Sequence, residues 1–490
     1  MTESESPLLS ALALESDAGL LDPLSSGTEV AVQSSDAGYL RQLLEVEAAW
    51  TAVLADHGLV APEHARAAAE ATDPAQYDLI ELAHAGQSGG NPLIPALKAL
   101  RSRAGDAAQA IHIGATSQDI MDTAMMRMAG EVSATILADV RAAVGSLADL
   151  ATEHRVTPMV ARSLTQHSLP STFGLRAAGW MSALVEAGRR LEAATAELPI
   201  QWGGAAGTMA ALSSRVAKAH TNGTLDAGTD TFALVEDLAA RLGLAAPAGP
   251  WQTNRMPVTG VAAALADVVA ACGKIANDVL ISARIENGEL GEPQAPGRGG
   301  SSAMPHKQNP VLSVMIHAGA LGAPSTLAQV LTAAGAANEE RPDGAWHAEW
   351  PALRQLMRTA GGAAARTAEL VSGLRVNTER MNENLHRVGP LLVSERLMAE
   401  LAPVLEEQAG GDPGSGKARL QAIVDRSLVG SQGPEDDPDF RTLLRDALPD
   451  SVTDTELDEL LDPANYTGEA ATLVDRLVSD ARQFAEWSTS

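Results

Sequence analysis

The segment from Val258 to about Leu290 constrains the fold of this chain more than any other. Only three of its side chains before Arg284 are charged, namely Asp267, Lys274 and Asp278. Their spacing of seven and then four residues places them on one stripe of a helix, and most of the remaining helix surface is apolar or small. A helix of this kind must be buried on several sides. We therefore predict a bundle of long helices that other subunits extend.

The composition supports helices over sheets. Aromatic residues make up only 3% of the 490 residues, so the core must be built largely from Ala, Leu, Val and Met. Two further stretches, Met126–Glu153 and Ser171–Glu197, are nearly continuous in their helical pattern. We predict an all-α chain with an N-terminal helical domain (1–111), a central long-helix domain (112–375) and a small C-terminal helical domain (376–490).

The charge balance limits the classes of molecule that this chain can bind. The formal net charge of −27 argues against nucleic acid or an anionic membrane as the main partner. Any anionic substrate must therefore be held by a local cluster of donors. The single cysteine, Cys272, and the acidic start of the chain favour the cytoplasm. The uncharged stretch from Pro310 to Asn338 is long enough to cross a membrane, but its small residues and Pro324 favour buried bundle interior.

Five polar islands interrupt this helical pattern, and loops at the ends of a rigid bundle are a natural place for a site. They are Gly86–Pro95, His112–Asp119, Arg162–Pro170, Gly297–Pro310 and Asn338–His347. The richest is Gly297–Pro310, which offers hydroxyl, ammonium and amide groups from Ser301, Ser302, Lys307 and Asn309. Its glycines let the backbone approach a ligand closely. Composition alone leaves two interpretations open, a substrate loop or a glycine-rich surface linker.

The residues Gly300–Pro310, reading Gly-Ser-Ser-Ala-Met-Pro-His-Lys-Gln-Asn-Pro, resemble the signature loop of the fumarase/aspartase superfamily. The block Thr116–Asp119 resembles the first signature of that family, and Arg162–Pro170 resembles the second. The resemblance extends over most of the chain. It implies an all-α subunit of three domains, a homotetramer with a twenty-helix core, and active sites that three subunits share.

The resemblance also assigns roles to individual residues. It implies that Ser301 is the catalytic base, while Lys307 and Asn309 hold a substrate carboxylate and the charge that develops on it. Backbone N–H groups and a lysine cation can stabilise the alkoxide that such a serine requires. We predict further substrate contacts from the other islands, at Thr116, Ser117, Gln118, Asn91, Ser163, Arg341, His112 and His167. We expect neither a metal nor an organic cofactor.

One departure from the family pattern concerns the leaving group. The lyases have Arg-Thr-His in the second block, and the histidine helps to protonate the leaving group. Here the segment reads Arg-Ser-Leu, which puts Leu164 at the position of the histidine. Leucine cannot transfer a proton, whereas a carboxylate leaving group needs none because it is a weak base. His167 and His112 remain alternative proton donors.

The departure favours lactonisation over release of an amine or hydroxide. Three further segments resemble the 3-carboxy-cis,cis-muconate cycloisomerase branch of the family, namely Gly89–Pro95, Ser171–Trp180 and Trp346–Trp350. The enzymes of this branch close a small tricarboxylate to 4-carboxymuconolactone in protocatechuate catabolism. We therefore predict an isomerase, in which Ser301 delivers a proton to carbon while Lys307, Asn309 and Arg341 counter the substrate carboxylates. Two alternatives stay open: an adenylosuccinate-type or other lyase that eliminates fumarate, and a non-catalytic helical tetramer.

Overall fold

The computed structural model describes residues 19–300, 304, 307–387, 389–430 and 439–486. Within these residues the chain is built from α-helices joined by loops and a few short strands. The α-helices are Glu29–Gln33, Asp36–Asp56, Pro62–Glu70, Leu79–Gly89, Leu93–Ala104, Ser117–Glu153, Phe173–Thr195, Ala210–Thr221, Thr231–Leu242, Met256–Ser282, Val311–Gly335, Ala345–Ser372, Thr378–His386, Ser394–Gln408, Ser415–Gly430, Phe440–Ala447, Asp454–Leu461 and Ala470–Glu486. The predicted all-α fold class is confirmed.

The strands form two small antiparallel sheets. Pro158–Ser163 pairs with Gln166–Thr172, and Leu290–Gly291 pairs with Arg375–Val376. The first pair lies in the segment that the sequence suggested as a polar loop between two helices. That interpretation was incomplete, because the segment is a β-hairpin.

The chain divides by its packing into two compact units. The first contains the residues up to Ala142, Leu184–Ala276 and Val311–Glu369; the second contains Ala143–Ala183, Asn277–Pro310 and the residues from Leu370 onward. This partition follows contacts and differs from the three predicted domains, which stay a prediction.

The core of the first unit is built around a pair of tryptophans. Trp50 and Trp202 are almost fully buried, and their ring centroids lie 4.4 Å apart. Trp50 belongs to Asp36–Asp56, the amphipathic helix that the apolar spacing between Tyr39 and His57 predicted. Ring pairs at this distance supply much of the apolar burial in a core with few aromatic residues.

Two long helices of the first unit approach each other very closely. A Cβ on Gly273 of Met256–Ser282 would lie only 2.3 Å from the Cβ of Ala320 of Val311–Gly335. Only glycine fits at this crossing. Met256–Ser282 is mostly buried, as predicted, and Cys272 within it is a buried residue whose thiol pKa burial raises to about 12.

The helix Val311–Gly335 is less covered than Met256–Ser282. Within one chain it is mostly exposed, and Leu321 projects with 71% of its surface accessible. Only Met256–Ser282 and Val311–Gly335, of the described residues, are long and apolar enough to cross a membrane. The first of them passes this test as a buried core helix does. Burial of the second as interior of a bundle that other subunits extend stays a prediction, because the described residues of one chain leave most of this helix uncovered.

The second unit has a smaller core of its own. It is formed by leucines of Ser394–Gln408 together with Phe440 and Leu457 of the following helices. This apolar cluster accounts for the helical character that the sequence predicted for the last part of the chain.

Candidate active site

The loop before the Ser117–Glu153 helix is held by the first turn of that helix. The helix begins at Ser117, whereas the sequence suggested a start near Ile120 with Asp119 as the cap. The carboxylate of Asp119 instead accepts the Thr116 N–H at 2.9 Å from within the first turn. An acid in the first turn often satisfies the N–H group that precedes a helix. The prediction of Asp119 as the cap of a helix starting near Ile120 was wrong, because Asp119 lies inside the first turn and binds the N–H of the residue that precedes the helix.

Asp119 also anchors this loop to a glycine-rich segment. Its carboxylate accepts the N–H groups of Gly203 and Gly204 at 2.9 Å each and Nε2 of Gln201 at 3.1 Å. The side chain is fully buried. Burial is the largest influence and raises the pKa of the Asp119 carboxyl to about 6, while the four N–H donors, including that of Thr116, act to lower it. Asp119 thus fixes the backbone of the loop.

Thr116 meets the fifth polar island. Nη2 of Arg341 donates a hydrogen bond to Oγ1 of Thr116 at 2.5 Å, and Arg341 is exposed. Ser117 is half-buried beside Thr116. A guanidinium next to a hydroxyl provides donors of the kind that a carboxylate requires. The structure therefore brings together Arg341 and Thr116, two of the predicted substrate-binding residues, and Ser117 follows Thr116 in the chain.

Gln118 lies beneath this group. Its side chain is fully buried, and Nε2 donates to Oδ2 of Asp122 at 3.1 Å and to the carbonyl of Gln252 at 2.8 Å. Both N–H groups of the amide are thus engaged. The structure gives Gln118 a supporting position, and its direct contact with a substrate stays a prediction.

His112 is held by a buried carboxylate. Nδ1 of His112 lies 2.6 Å from Oε1 of Glu47, whose side chain is only 1% exposed. The backbone of His112 has φ 66°, a conformation that costs energy in a residue other than glycine. The contact orients the imidazole through Nδ1, so Nε2 is the nitrogen available to a ligand. Glu47 gave no signal in the sequence, because it lies 65 residues earlier, on the Asp36–Asp56 helix.

Asn91 serves as a helix cap. Its Oδ1 accepts the N–H groups of Leu93 and Ile94 at 3.1 and 3.3 Å at the start of the Leu93–Ala104 helix. The neighbouring Gly90 lies against the fifth island, because a Cβ there would be 3.7 Å from Nε2 of His347. Three of the five polar islands therefore meet in the first unit. The substrate contact of Asn91 stays a prediction.

In the second unit, Ser163 and Leu164 lie at the tip of the β-hairpin. Ser163 pairs with Gln166, so the turn consists of Leu164 and Thr165 alone. Both turn residues have positive φ, 50° and 72°, as a two-residue hairpin turn of type I′ requires. Asn-Gly is the usual sequence for such a turn, and a β-branched residue is strained there. Leu164 is 93% exposed and therefore available to contact another molecule.

The hairpin carries a charged cluster close to its turn. Arg162 makes a bidentate pair with Glu289, with distances of 2.8 and 2.6 Å, and Asn384 also donates to Glu289. His167 stands opposite Arg162 in the strand register rather than one helical turn beyond Leu164. Burial first, and then Arg162 and Arg387, lower the pKa of His167. A neutral imidazole is favoured there, which weakens the case for His167 as the acid.

The glycine-rich loop is described only in part. Ser301, the predicted base, lies outside the described residues. At the end of the loop, the N–H of Asn309 donates to the carbonyl of Gly299 at 2.8 Å, and Gly299 has φ 69°. A Cβ on residue 299 would lie 2.5 Å from the Asn309 carbonyl oxygen, so this closure requires glycine. Lys307 is exposed, and Asn309 lines a cavity of about 170 Å³ with Arg298 and Arg375.

Sequence reasoning missed a buried ionic cluster in the first unit. Arg255 contacts both Asp122 and Glu349, and all three side chains are at most 3% exposed. Glu349 stands within Trp346–Trp350 and Asp122 lies three residues after the Thr116–Asp119 block, but no local pattern marks Arg255 as their partner. Its position 133 residues from Asp122 becomes informative only in the folded chain.

Among the described residues, no group of three or more His, Cys, Asp or Glu side chains could hold a metal ion. The expectation that the chain uses neither a metal nor an organic cofactor stays a prediction.

The all-α fold and the polar loops that converge at Thr116 define an enzyme of the lyase superfamily. Residues 32–321 match the family described as lyase, and the chain belongs to this family, within the fumarase/aspartase superfamily. The predicted resemblance is confirmed.

Two curated relatives and one solved structure illustrate the similarity. The chain is 43% identical over 485 residues to nitrosuccinate lyase of Streptomyces davaonensis, covering 98% of this chain and 97% of that protein. It is 36% identical over 452 residues to 3-carboxy-cis,cis-muconate cycloisomerase of Pseudomonas aeruginosa, covering 91% and 93%. The crystal structure of the 3-carboxy-cis,cis-muconate lactonizing enzyme from Pseudomonas putida matches with a TM-score of 0.83 at 31% identity, covering 95% and 99%.

Proposed function

We propose that this chain is a lyase that eliminates a weakly basic leaving group from a small dicarboxylate, with nitrosuccinate as substrate and nitrite as leaving group. The observation that carries the proposal is Leu164, an apolar residue at the exposed hairpin tip where the lyases of the superfamily have a histidine. Without an acid at this position, the leaving group must depart as a stable anion. Nitrite satisfies this condition, because nitrous acid is about as strong an acid as a carboxylic acid.

The reaction balances as a β-elimination. Ser301, as an alkoxide, removes a proton from the methylene carbon of nitrosuccinate. The electron pair of that C–H bond forms the carbon–carbon double bond, and the C–N bond breaks with its pair going to nitrite. The products are fumarate, nitrite and a protonated serine. Negative charge builds up on the carboxylate beside the methylene carbon during proton removal, and Lys307 and Asn309 are placed by the resemblance to stabilise it.

The group around Thr116 holds the other substrate carboxylate in this proposal. The hydroxyls of Thr116 and Ser117 and the guanidinium of Arg341 supply its hydrogen bonds. A fixed set of donors is needed here because the net charge of −27 repels a dianion from the molecule as a whole.

The predicted cycloisomerase is kept as the second candidate. It is favoured by 36% identity to one such enzyme and by the fold match to another. Its chemistry obeys the same condition at Leu164, since the group that adds to or leaves from carbon is a carboxylate. The greater identity to nitrosuccinate lyase, 43% over nearly the whole chain, makes elimination the first choice.

We further propose that the active enzyme is a homotetramer in the cytoplasm, with sites shared between subunits. The exposed apolar surface of Val311–Gly335 supports an assembly, because it needs cover. Sedimentation of the purified chain tests the assembly.

The deciding experiment supplies the purified protein with nitrosuccinate and, separately, with 3-carboxy-cis,cis-muconate, without added metal and with a chelator present. Nitrite is measured colorimetrically and fumarate by its absorbance; lactonisation is followed by loss of the diene absorbance. Equal amounts of nitrite and fumarate support the proposal. Turnover of the muconate alone would replace it with the second candidate, and turnover of neither, with adenylosuccinate cleaved instead, would exclude both.

A further inference from the structure

A buried ionic cluster lies directly behind the loops that carry the Thr116 donors. Nη1 and Nη2 of Arg255 contact the carboxylate of Asp122 at 2.7 and 3.0 Å. Nη2 and Nε of the same guanidinium contact the carboxylate of Glu349 at 2.6 and 3.1 Å. Arg255 is 2% exposed, and its guanidinium carbon stands 4.8 Å from the centre of the Trp251 ring.

The two carboxylates belong to the two helices that follow the loops of Thr116 and Arg341. Asp122 lies in the second turn of the helix that begins at Ser117, directly after Thr116. Glu349 lies in the second turn of the helix that begins at Ala345, shortly after Arg341. Arg255 therefore joins the starts of two helices whose preceding loops are themselves joined by the Arg341–Thr116 hydrogen bond.

Additional contacts strengthen the same junction. Nε1 of Trp346 donates to Oδ1 of Asp122 at 2.9 Å, and Nε2 of Gln118 donates to Oδ2. One carboxylate thus receives donors from its own helix, from the helix of Glu349 and from Arg255. Since buried charges that lose their partners are costly, this arrangement has a single favourable geometry.

The cluster is also unbalanced in charge, with two carboxylates around one guanidinium. Burial raises the pKa of Glu349, and Asp122 raises it further, while the contacts with Arg255 oppose this. Only a planar fork with several donors can satisfy two carboxylates on different sides at once; a lysine ammonium is a point charge on a flexible stem. The identity of residue 255 as arginine is therefore a geometric requirement.

We propose that Arg255 is a positioning residue, which sets the distance between the Thr116 hydroxyl and the Arg341 guanidinium and so determines the affinity for the substrate carboxylate. This inference rests on the proposed role of Thr116 and Arg341 in binding a dianionic substrate. Arg255 itself is too deeply buried to touch the substrate.

The test compares Arg255→Lys with Arg190→Lys. Arg190 pairs with Asp267 at 2.9 Å in the same unit but is exposed and remote in sequence from both loops, which makes it a matched control. For Arg255→Lys we expect KM to rise about tenfold while kcat stays within about threefold, because misplaced binding groups act first on binding. Arg190→Lys should leave both constants unchanged.

Two further readouts separate positioning from general weakening of the fold. Hydrogen–deuterium exchange should become faster in peptides covering residues 112–118 and 338–344 of Arg255→Lys, with no change in Arg190→Lys. In a Thr116→Val background, which lacks the hydroxyl, Arg255→Lys should raise KM by much less than it does alone. Glu349→Gln, which keeps an acceptor for Arg255, should show the same pattern with a smaller effect and serves if Arg255→Lys does not fold.

The outcomes distinguish this inference from the proposed function. Unchanged exchange in both loops would overturn the positioning role whatever the substrate proves to be. So would a fall in kcat at constant KM, or equal KM effects with and without the Thr116 hydroxyl. If the wild-type protein releases no nitrite from nitrosuccinate, the proposed function fails, but faster exchange in the two loops of Arg255→Lys would still support the structural role of Arg255.

Discussion

The two groups of predicted site residues, one in each unit, are built in opposite ways. Around Thr116, buried carboxylates hold the polar loops in place. Asp119 accepts hydrogen bonds from four N–H groups, and Asp122 accepts hydrogen bonds from Arg255 and from neighbouring side chains. At the hairpin of the second unit, Leu164 and Thr165 occupy a turn with positive φ, and Leu164 is almost fully exposed. One part is fixed from within its unit, while the other presents a strained, uncovered tip.

This difference matches the chemistry that each part is proposed to perform. A dianionic substrate has to be held by donors already in position, because reorganising them at the moment of binding would weaken the affinity. The proposal gives the hairpin a different task, because the resemblance puts Leu164 at the position of the family's histidine. Strained backbone persists only where the surrounding structure enforces it, and such strain often occurs at functional sites.

The strongest way to test the division is to remove the predicted base. We expect Ser301→Ala to lower kcat about a thousandfold with little change in KM, because a general base contributes to proton transfer rather than to binding. Ser302→Ala is the matched control, because it changes a serine of the same loop but keeps the predicted base. Its kcat should fall by less than about tenfold. Steady-state release of nitrite measures both. Equal losses in the two variants would contradict the assignment of Ser301.

The buried support of the Thr116 loop should respond strongly to a nearly isosteric change. In the wild-type chain the N–H donors around residue 119 bind a carboxylate, and Asp119→Asn replaces one of its oxygens with an amide NH₂ that cannot accept them. We therefore expect the free energy of unfolding to fall by about 2 to 3 kcal/mol. Urea unfolding at neutral pH measures it. Asp475→Asn is the control, because Asp475 pairs with Arg155 on the surface and should change stability little. Similar losses in both would show that burial is not the deciding factor.

The sequence was sufficient for the helices and the polar islands, because both depend on local patterns. Helical periodicity located Asp36–Asp56, and the motif around Thr116 identified residues that the structure does bring together with Arg341. It could not reveal Glu47 or Arg255, whose importance comes from contacts 65 and 133 residues away. Nor could it identify the β-hairpin, because Leu-Thr is an unfavourable sequence for a type I′ turn and favours no turn by itself.

The strain at the hairpin tip should be visible as a gain in stability when it is relieved. Thr165→Gly allows φ 72° without the Cβ penalty of about 1 to 2 kcal/mol, and the greater freedom of glycine in the unfolded chain offsets part of it. We therefore expect a gain of about 0.5 to 1 kcal/mol in the free energy of unfolding. Thr165→Ala keeps the Cβ and is the control without relief. A loss of stability in Thr165→Gly would mean that the turn is not strained.

The smallest expected effect concerns the protonation of His167, close to the hairpin turn. Burial, Arg162 and Arg387 lower the pKa of His167 in the folded chain, so the unfolded chain binds more protons as the pH falls below the ordinary histidine pKa of about 6.5. Stability due to this group is therefore present above that pH and is lost as the pH falls through the lowered pKa. Burial also lowers the pKa of His154 in the same unit, which adds a second contribution of the same sign.

His167→Gln should make the free energy of unfolding less dependent on pH below about 6.5. His154→Gln should remove the contribution of His154 to this pH dependence, and the double variant should remove both contributions. Urea unfolding at a series of pH values measures the slope. A slope that is unchanged in His167→Gln would mean that burial and the two arginines do not lower the pKa of this imidazole, and His167 would then regain its place as a candidate proton donor.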